Sequence, residues 1–197
     1  MEPMPSPPEH PYERFAPFLL GLARASLAYG VAHGHPPVID RDVPDPLLLE
    51  PRATFVTLER HGQLRGCIGR IEAVLPLIDD LNEHATAAAI HDPRFGPVQP
   101  QEVPEIVLSI SILTPPEPMA VRDEADLLRQ LVPGTDGLIL REGRRAATFL
   151  PSVWEELTDP AAFVQHLKRK AGWPATYWSG GIRVERYRCA YLTEKSA

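Results

Sequence analysis

Cysteine is scarce in this sequence, and the patterns of common metal and cofactor sites are missing from it. Cys67 and Cys189 are its only cysteines, too few for a disulfide framework, and we expect free thiols rather than one bridge between them. There is no HExxH or CxxC ligand pattern, no GxxxxGK(S/T) or GxGxxG phosphate loop, and no GxSxG nucleophile elbow. We therefore predict no metal site and no cofactor, and we disfavour the common types of nucleotide enzyme.

Long apolar runs are also missing. No stretch of 18 apolar residues occurs, so no membrane span is predicted. The first ten residues, MEPMPSPPEH, place proline and glutamate where a signal peptide has a basic start and an apolar run. These two observations predict a cytoplasmic protein.

Positive charge is in deficit, with a formal net charge of −6. A general nucleic-acid binder is disfavoured, because neutralising phosphates requires a surplus of lysine and arginine. The arginines do form two groups, which we interpret as solvated strand edges, with an anion site as the alternative. The groups are Arg141, Arg144 and Arg145, and Arg183, Arg186 and Arg188.

The length of 197 residues, 44% of them hydrophobic, suffices for one full hydrophobic core without a stabilising disulfide or metal ion. Proline marks irregular segments, since six prolines lie within residues 1–17 and five within 36–51. We predict a disordered tail over 1–11, a single domain over 12–192 and a short tail over 193–197.

The order of helical and strand patterns predicts the fold class. Apolar spacing and capping residues predict helices over 12–31, 77–90, 123–132 and 160–171. Alternation and turn residues predict strands over 53–71 (a hairpin), 105–114, 138–141, 145–150 and 182–191. Because strands and helices do not alternate regularly, we predict an α+β fold with an antiparallel or mixed sheet flanked by helices.

The first hairpin turns at His61-Gly62, a pair suited to a two-residue turn. Counting outward from it places Leu58 opposite Arg65 and Val56 opposite Cys67. By the strand period of two, alternate residues then share a face: Arg65, Cys67 and Gly69 on one, Leu64, Gly66 and Ile68 on the other.

Cys67 lies between two glycines in the string LRGCIG at 64–69. Glycine weakens a strand, so Gly66 and Gly69 indicate a close approach by backbone or ligand. Such small neighbours leave the sulfur accessible, and Arg65 would favour the thiolate or hold an anionic ligand. Cys67 is then a candidate nucleophile, with Arg65, Gly66 and Gly69 as ligand-binding residues. Alternatively, the glycines make room for a helix and Cys67 is a small core residue.

A second polar cluster, HDPRF at 91–95, follows the predicted helix over 77–90. The proline-locked turn holds Asp92 and Arg94 close enough to pair. The pair either ties down the loop or presents Arg94 as a two-pronged donor to an anionic ligand.

Two histidines are candidate proton-handling groups. His84 and His91 are seven residues apart, so they could share a helix face and supply a base for Cys67. Asp92 is a third candidate for this role.

Seven segments, in order along the chain, resemble the AMMECR family, in the group that forms protein A of the AmmeMemoRadiSam system. They are FVTL at 55–58, LRGCIG at 64–69, AAAIHDPRFGPV at 87–98, SISILT at 109–114, GTDGLIL at 134–140, FLPSVWEEL at 149–157 and FVQHLKRKAG at 163–172. The resemblance covers roughly residues 12–192. One departure is Lys168, where many relatives have cysteine, so a scheme that needs a resolving cysteine in that helix is weakened.

The resemblance implies an α+β fold of two unequal lobes with a cleft beside the LRGCIG strand. It also implies association with a radical S-adenosylmethionine enzyme and a Memo-like protein, in a modification of a macromolecule or small molecule. Two classes of function follow. One is binding and transformation of an unknown small ligand at a Cys67-centred cleft, and the other is a non-catalytic adaptor or binding module for a partner enzyme.

Overall fold

Over residues 10–195, which the computed structural model describes, the chain forms four α-helices and two four-stranded antiparallel sheets. The helices are α1 (Ala16–His33), α2 (Leu77–Ile90), α3 (Glu124–Gln130) and α4 (Pro160–Lys170). The strands are β1 (Thr54–Arg60), β2 (Gln63–Gly69), β3 (Ile106–Leu113), β4 (Glu117–Pro118), β5 (Gly137–Glu142), β6 (Arg145–Phe149), β7 (Arg183–Tyr187) and β8 (Cys189–Thr193). This confirms the α+β class.

The described part of the chain divides into two compact units: unit 1, which runs to residue 113 and resumes at residue 190, and unit 2, residues 114–189. The predicted disordered tail falls mostly on residues 1–9, outside the described part of the chain. At the other end, Thr193 still belongs to β8, and Glu194 accepts hydrogen bonds from Arg24 and from the backbone of Leu108. Ordered structure therefore continues beyond the predicted boundary at residue 192.

Unit 1 contains a sheet of strand order β2-β1-β3-β8. Alternate residues of β1 and β3 are fully buried in one core with the apolar residues of α1 and α2. Leu58 and Ile110 lie in this core together with Leu27 of α1 and Leu81 of α2. The alternation predicted from the sequence thus becomes a sheet with one face covered by helices.

Helix α1 begins and ends later than predicted. Pro17 lies in its first turn, and the residues before it form a short 3-10 turn over Glu13–Phe15. The helix passes through Gly30 and ends at Gly34, whose φ of 80° is the left-handed conformation typical of a helix terminus. Gly30 lies inside the helix, where a Cβ would be 2.6 Å from Cγ2 of Thr86 in α2. It is a point of close helix packing.

The segment Glu13–His33 is long and apolar enough to cross a membrane by length and composition alone. This segment does not contain 18 consecutive apolar residues, because small and polar residues interrupt its apolar sequence. Leu19, Ala23 and Leu27 of this helix are fully buried in the core of unit 1. The core helix of a globular protein and a signal sequence near the N-terminus meet the same criterion, and 28% of the apolar window of this segment is buried.

The first hairpin has the predicted turn. His61 and Gly62 have φ values of 54° and 72°, as a type I′ turn requires at both central positions. Arg60 consequently pairs with Gln63.

A β-bulge shifts the rest of this hairpin by one residue from the predicted register. The pairs beyond the turn are Glu59–Leu64, Leu58–Gly66, Thr57–Cys67, Val56–Ile68 and Phe55–Gly69. Arg65 is the extra residue of the bulge, so the predicted pairs of Leu58 with Arg65 and of Val56 with Cys67 are wrong. The predicted faces hold beyond the bulge, where Gly66 and Ile68 pair with the core residues Leu58 and Val56. They fail on the turn side, where Leu64 is 44% exposed although Gly66 is buried. A bulge breaks the period of two on which the prediction depended.

Unit 2 contains the sheet β4-β7-β5-β6 and its own core. The rings of Trp154 and Phe163 are stacked there, with centroids 3.8 Å apart. The single final strand predicted over 182–191 is two strands, β7 in this sheet and β8 in the sheet of unit 1. A continuous β-prone run does not reveal that its two halves have different partners.

Candidate functional site

Cys67 lies on β2, the edge strand of its sheet, and an Asp-Arg pair binds its backbone. The Cys67 N–H donates to Oδ2 of Asp92 at 2.8 Å, and its carbonyl accepts from Nη2 of Arg94 at 3.2 Å. An edge strand normally leaves such groups to water or to another strand. Here the side chains of Asp92 and Arg94, in the loop after α2, bind the N–H and the carbonyl of Cys67 instead.

Asp92 is held as a carboxylate. Its Oδ1 accepts from the backbone N–H and from Nε of Arg94, both at 3.0 Å, and its Oδ2 accepts from Nη2 of Arg94 at 2.7 Å. The side chain is 2% exposed. These hydrogen bonds, chiefly those from the Arg94 side chain, hold the pKa of Asp92 far below its usual range although burial opposes them. A carboxylate of such low basicity is a poor proton acceptor near neutral pH.

We expect Asp92→Asn to lower the free energy of unfolding at neutral pH by about 2 kcal/mol, because it removes charge-assisted hydrogen bonds. The folded-state pKa is lowered, so the contribution is complete well above the unfolded value of about 3.9 and declines as the pH falls below it. Urea unfolding of both proteins at pH values of about 7 and 3 should therefore show a smaller difference in acid. Asp42→Asn, at an exposed carboxylate, is the control. A difference that stays constant or grows in acid contradicts the assignment.

Cys67 is half-buried, and its sulfur accepts a hydrogen bond from Oγ1 of Thr57 at 3.4 Å. The nearby guanidinium is that of Arg94, whose side chain is 54% exposed. Its pKa is raised, mainly by the hydrogen bond to Asp92 and to a smaller extent by Cys67. The arginine beside the sulfur is therefore not the one that the strand pattern indicated.

Arg65 instead anchors the segment 96–102. Its guanidinium donates to both carboxylate oxygens of Glu102, at 3.0 and 2.9 Å, and to the carbonyls of Gly96 and Pro97. The hydrogen bond from Arg65 is the largest cause of the lowered pKa of Glu102, about 2. Because Arg65 is the bulge residue, it does not lie in register with Cys67.

The two glycines around Cys67 have packing partners. A Cβ on Gly66 would lie 2.2 Å from the carbonyl oxygen of Ala88 in α2. A Cβ on Gly69 would lie 2.3 Å from the ring of Phe55 and 2.4 Å from the carbonyl oxygen of Thr54. Gly66 thus makes room for helix α2, which was the alternative interpretation of the two glycines. Gly69 makes room for the ring of Phe55 in its own hairpin.

His84 belongs to a buried polar cluster that also contains Asp80, Thr54 and Arg70. Its Nδ1 lies 3.0 Å from both Oδ2 of Asp80 and Oγ1 of Thr54, and its Nε2 accepts from Nε of Arg70 at 3.1 Å. Because arginine can only donate, this contact assigns the imidazole proton to Nδ1, facing Asp80. Both ring nitrogens are therefore engaged by groups other than Cys67.

His91 is exposed at the end of α2, where its backbone N–H donates to the carbonyl of Ala87. Among residues 10–195, no hydrogen bond joins either imidazole to the sulfur of Cys67. The same residues contain no group of three His, Cys, Asp or Glu side chains that could hold a metal ion.

Sequence reasoning missed Asp80 and Glu102, the carboxylates that organise these two clusters. Asp80 lies four residues before His84 on one helix, a spacing that brings side chains together, so this pair could have been found. No local signal connects Glu102 with Arg65, 37 positions away.

The chain is an α+β protein in which an Asp-Arg pair binds the backbone of a cysteine on an edge strand. The AMMECR1 family model matches residues 20–192. This chain belongs to the AMMECR1 family, as the seven sequence segments indicated.

Relatives in archaea share most of the chain. A protein of Methanothermobacter thermautotrophicus is 43% identical over 155 residues, which cover 78% of this chain and 80% of the relative. A protein of Thermococcus gammatolerans is 37% identical over 190 residues, with 93% and 92% covered. The crystal structure of uncharacterized protein PH0010 from Pyrococcus horikoshii is similar with a TM-score of 0.85, at 32% identity and 92% coverage of both chains.

Proposed function

We propose that this chain binds a small anionic ligand at the Cys67 edge of β2, as protein A of an AmmeMemoRadiSam-type system. In this role it is a cytoplasmic companion of a radical S-adenosylmethionine enzyme and a Memo-like protein in a modification pathway. Family membership supports the system, and the contacts of Arg94 support the site.

The single observation that carries the binding site is the way Arg94 is held. Its Nε and Nη2 are bound by Asp92 and by the Cys67 carbonyl, whereas Nη1 has no hydrogen-bond partner among the described residues. Over half of the side chain is exposed. An arginine oriented in advance, with a free donor beside an accessible sulfur, loses little side-chain entropy when it binds a carboxylate or phosphate.

Transformation of that ligand by Cys67 is the stronger form of this proposal. The partly exposed sulfur beside a guanidinium favours it. A proton acceptor would then come from the ligand, from water or from a partner protein, because Asp92 and both nitrogens of His84 are engaged elsewhere.

The second candidate function is a non-catalytic adaptor that presents this edge to a partner enzyme. The engagement of Asp92, His84 and Arg65 in structural contacts favours it. Cys67→Ser in cells separates the two: retained pathway activity supports the adaptor, and lost activity with intact folding supports transformation.

Two alkylating reagents test the binding site directly. Iodoacetate carries a carboxylate and iodoacetamide is its neutral counterpart, and both attack the thiolate, so their rate ratio at one cysteine is insensitive to thiolate fraction. We expect the iodoacetate-to-iodoacetamide ratio at Cys67 to exceed that at Cys189 by about tenfold, because Arg94 attracts the anion. Peptide mass spectrometry measures both sites in one sample.

Arg94→Gln should lower the ratio at Cys67 to that of Cys189. Arg183→Gln, the same change of charge at an exposed residue of unit 2, should leave it unchanged. Equal ratios at the two cysteines of the native protein, or a Cys67 that reacts with neither reagent, would refute an anion site beside this sulfur.

A further inference from the structure

We propose a second ligand site, in unit 2, for a small anion that carries a planar aromatic ring. It is an open cavity of about 410 Å³ on the surface of unit 2, lined by Glu142, Arg144, Arg145, Trp173, Pro174 and Tyr177. This volume lies in the range of small-molecule sites. The site joins two arginines of the group at 141–145, for which an anion site was the alternative interpretation, to aromatic residues that follow α4.

The hairpin β5-β6 brings the two arginines to the cavity. Glu142 pairs with Arg145, so Gly143 and Arg144 form a two-residue turn, and Gly143 has a φ of 58° at its first position. Arg144 consequently lies at the tip of the hairpin, exposed and without a hydrogen bond or ion pair among the described residues. Arg145 donates one Nη1 hydrogen bond, at 3.0 Å, to the carbonyl of Gly172.

The aromatic wall is held in place. The rings of Trp173 and Tyr177 are stacked, with centroids 5.8 Å apart and planes at 21°. The hydroxyl of Tyr177 donates to Oε2 of Glu142 at 2.8 Å, and the hydroxyl of Ser179 donates to Oε1. Glu142 thus orients the tyrosine ring.

The charges of the cavity select the ligand. Hydrogen bonds from Ser179 and Tyr177 lower the pKa of Glu142, with a contribution from Arg145, so the cavity contains one carboxylate and two guanidinium groups. The carboxylate of Glu142 accepts hydrogen bonds from two hydroxyls, whereas the guanidinium of Arg144 has no partner among residues 10–195. An anionic group therefore meets Arg144 and Arg145, and a flat ring packs against Pro174 and the half-buried ring of Tyr177, which is itself stacked on the 5%-exposed Trp173. Nucleoside monophosphates and aromatic carboxylates combine these two parts.

Adenosine monophosphate and benzoate are suitable probes, and the indole N–H signal of Trp173 in an NMR titration of the full chain is a suitable readout. The three tryptophans of the sequence can be assigned by single substitutions to phenylalanine. We expect at least one of these probes to shift the Trp173 signal with saturation. Adenosine carries the ring without the anionic group, and ribose 5-phosphate and acetate carry the anionic group without an aromatic ring. Each of these probes should bind at least about tenfold more weakly.

Arg144→Gln should weaken binding of that probe about tenfold, a difference of about 1.4 kcal/mol. Arg183→Gln is the matched control and should leave the affinity unchanged. The proposal is overturned if neither probe shifts Trp173, if ribose 5-phosphate or acetate binds as tightly as the aromatic anion, or if Arg144→Gln has no effect. None of these outcomes depends on the alkylation of Cys67, so this site and the one in unit 1 are tested separately.

Discussion

Gly66→Ala should destabilise unit 1 by about 3 kcal/mol or more, although it adds a single methyl group. The new Cβ would lie 2.2 Å from the carbonyl oxygen of Ala88 and 3.2 Å from its carbonyl carbon. Both atoms belong to the backbone of α2, so no side-chain rotation relieves the overlap. Either α2 or β2 must shift, and α2 contributes Leu81 and Ala85 to the core. Urea unfolding monitored by circular dichroism measures the loss.

Gly21→Ala is the matched control for this substitution. Gly21 is exposed in α1, and a Cβ there would meet nothing within 4 Å. Alanine should therefore stabilise the protein by about 0.5–1 kcal/mol, as expected for a helix interior. If the two glycine variants unfold at the same urea concentration, the close approach of α2 to β2 is not a significant constraint.

This result bears on how the LRGCIG string is interpreted in functional experiments. A loss of activity in a Gly66 variant would not by itself identify a ligand site, because the fold loses stability at the same time. Cys67→Ser is more informative, since Cys67 is half-buried and the substitution adds no volume to the interior. Arg94→Gln also adds no volume, but it removes the ion-pair partner of the buried Asp92, so its free energy of unfolding has to be measured beside its activity. The glycines are accounted for by packing, and the function must be sought in the side chains.

The second large effect is expected in unit 2, at the ion pair of Lys168 and Glu124. The Lys168 side chain is 0% exposed, and its Nζ donates to both carboxylate oxygens of Glu124 at 2.8 and 2.9 Å. Glu124→Leu removes the only carboxylate paired with this ammonium in the described structure. We expect a loss of about 3–5 kcal/mol, the usual consequence of leaving a buried charge without a partner.

Removing both charges should be far less harmful than removing one. In the double variant Lys168→Met, Glu124→Leu no unpaired charge remains, and most of the stability should return. Glu156→Gln, at an exposed carboxylate of the same unit, should have almost no effect. A double variant that is as unstable as Glu124→Leu would mean that the packing of these side chains, rather than their charge, is what unit 2 requires.

The secondary structure was largely predictable because its signals are local. The alternation in EIVLSISILT predicted β3, and the sequence predicted α2 with its observed bounds, Leu77–Ile90. The turn at His61-Gly62 was predictable because positive φ restricts the residues that can occupy it. Family membership was predictable as well, since seven ordered segments exceed what chance agreement produces.

The candidate site was only partly predictable. Asp92 and Arg94 were expected to pair, and they do, because two residues of one proline-locked turn cannot move far apart. That the pair binds the backbone of Cys67 could not be predicted, because the contact joins residues 25 and 27 positions apart in the sequence. The expectation of a cleft beside this strand stays a prediction.

By itself, the sequence determined the four helices, the two hairpins and β3, because these depend on conformational preferences over a few neighbouring positions. Only the tertiary structure decided which arginine lies beside the sulfur of Cys67 and that no side chain fits at Gly66. It also decided which groups bind the two ring nitrogens of His84. Those outcomes depend on a one-residue bulge and on the close approach of a helix. Such interactions form between segments far apart in the chain, where each charged group has several possible partners and packing selects among them.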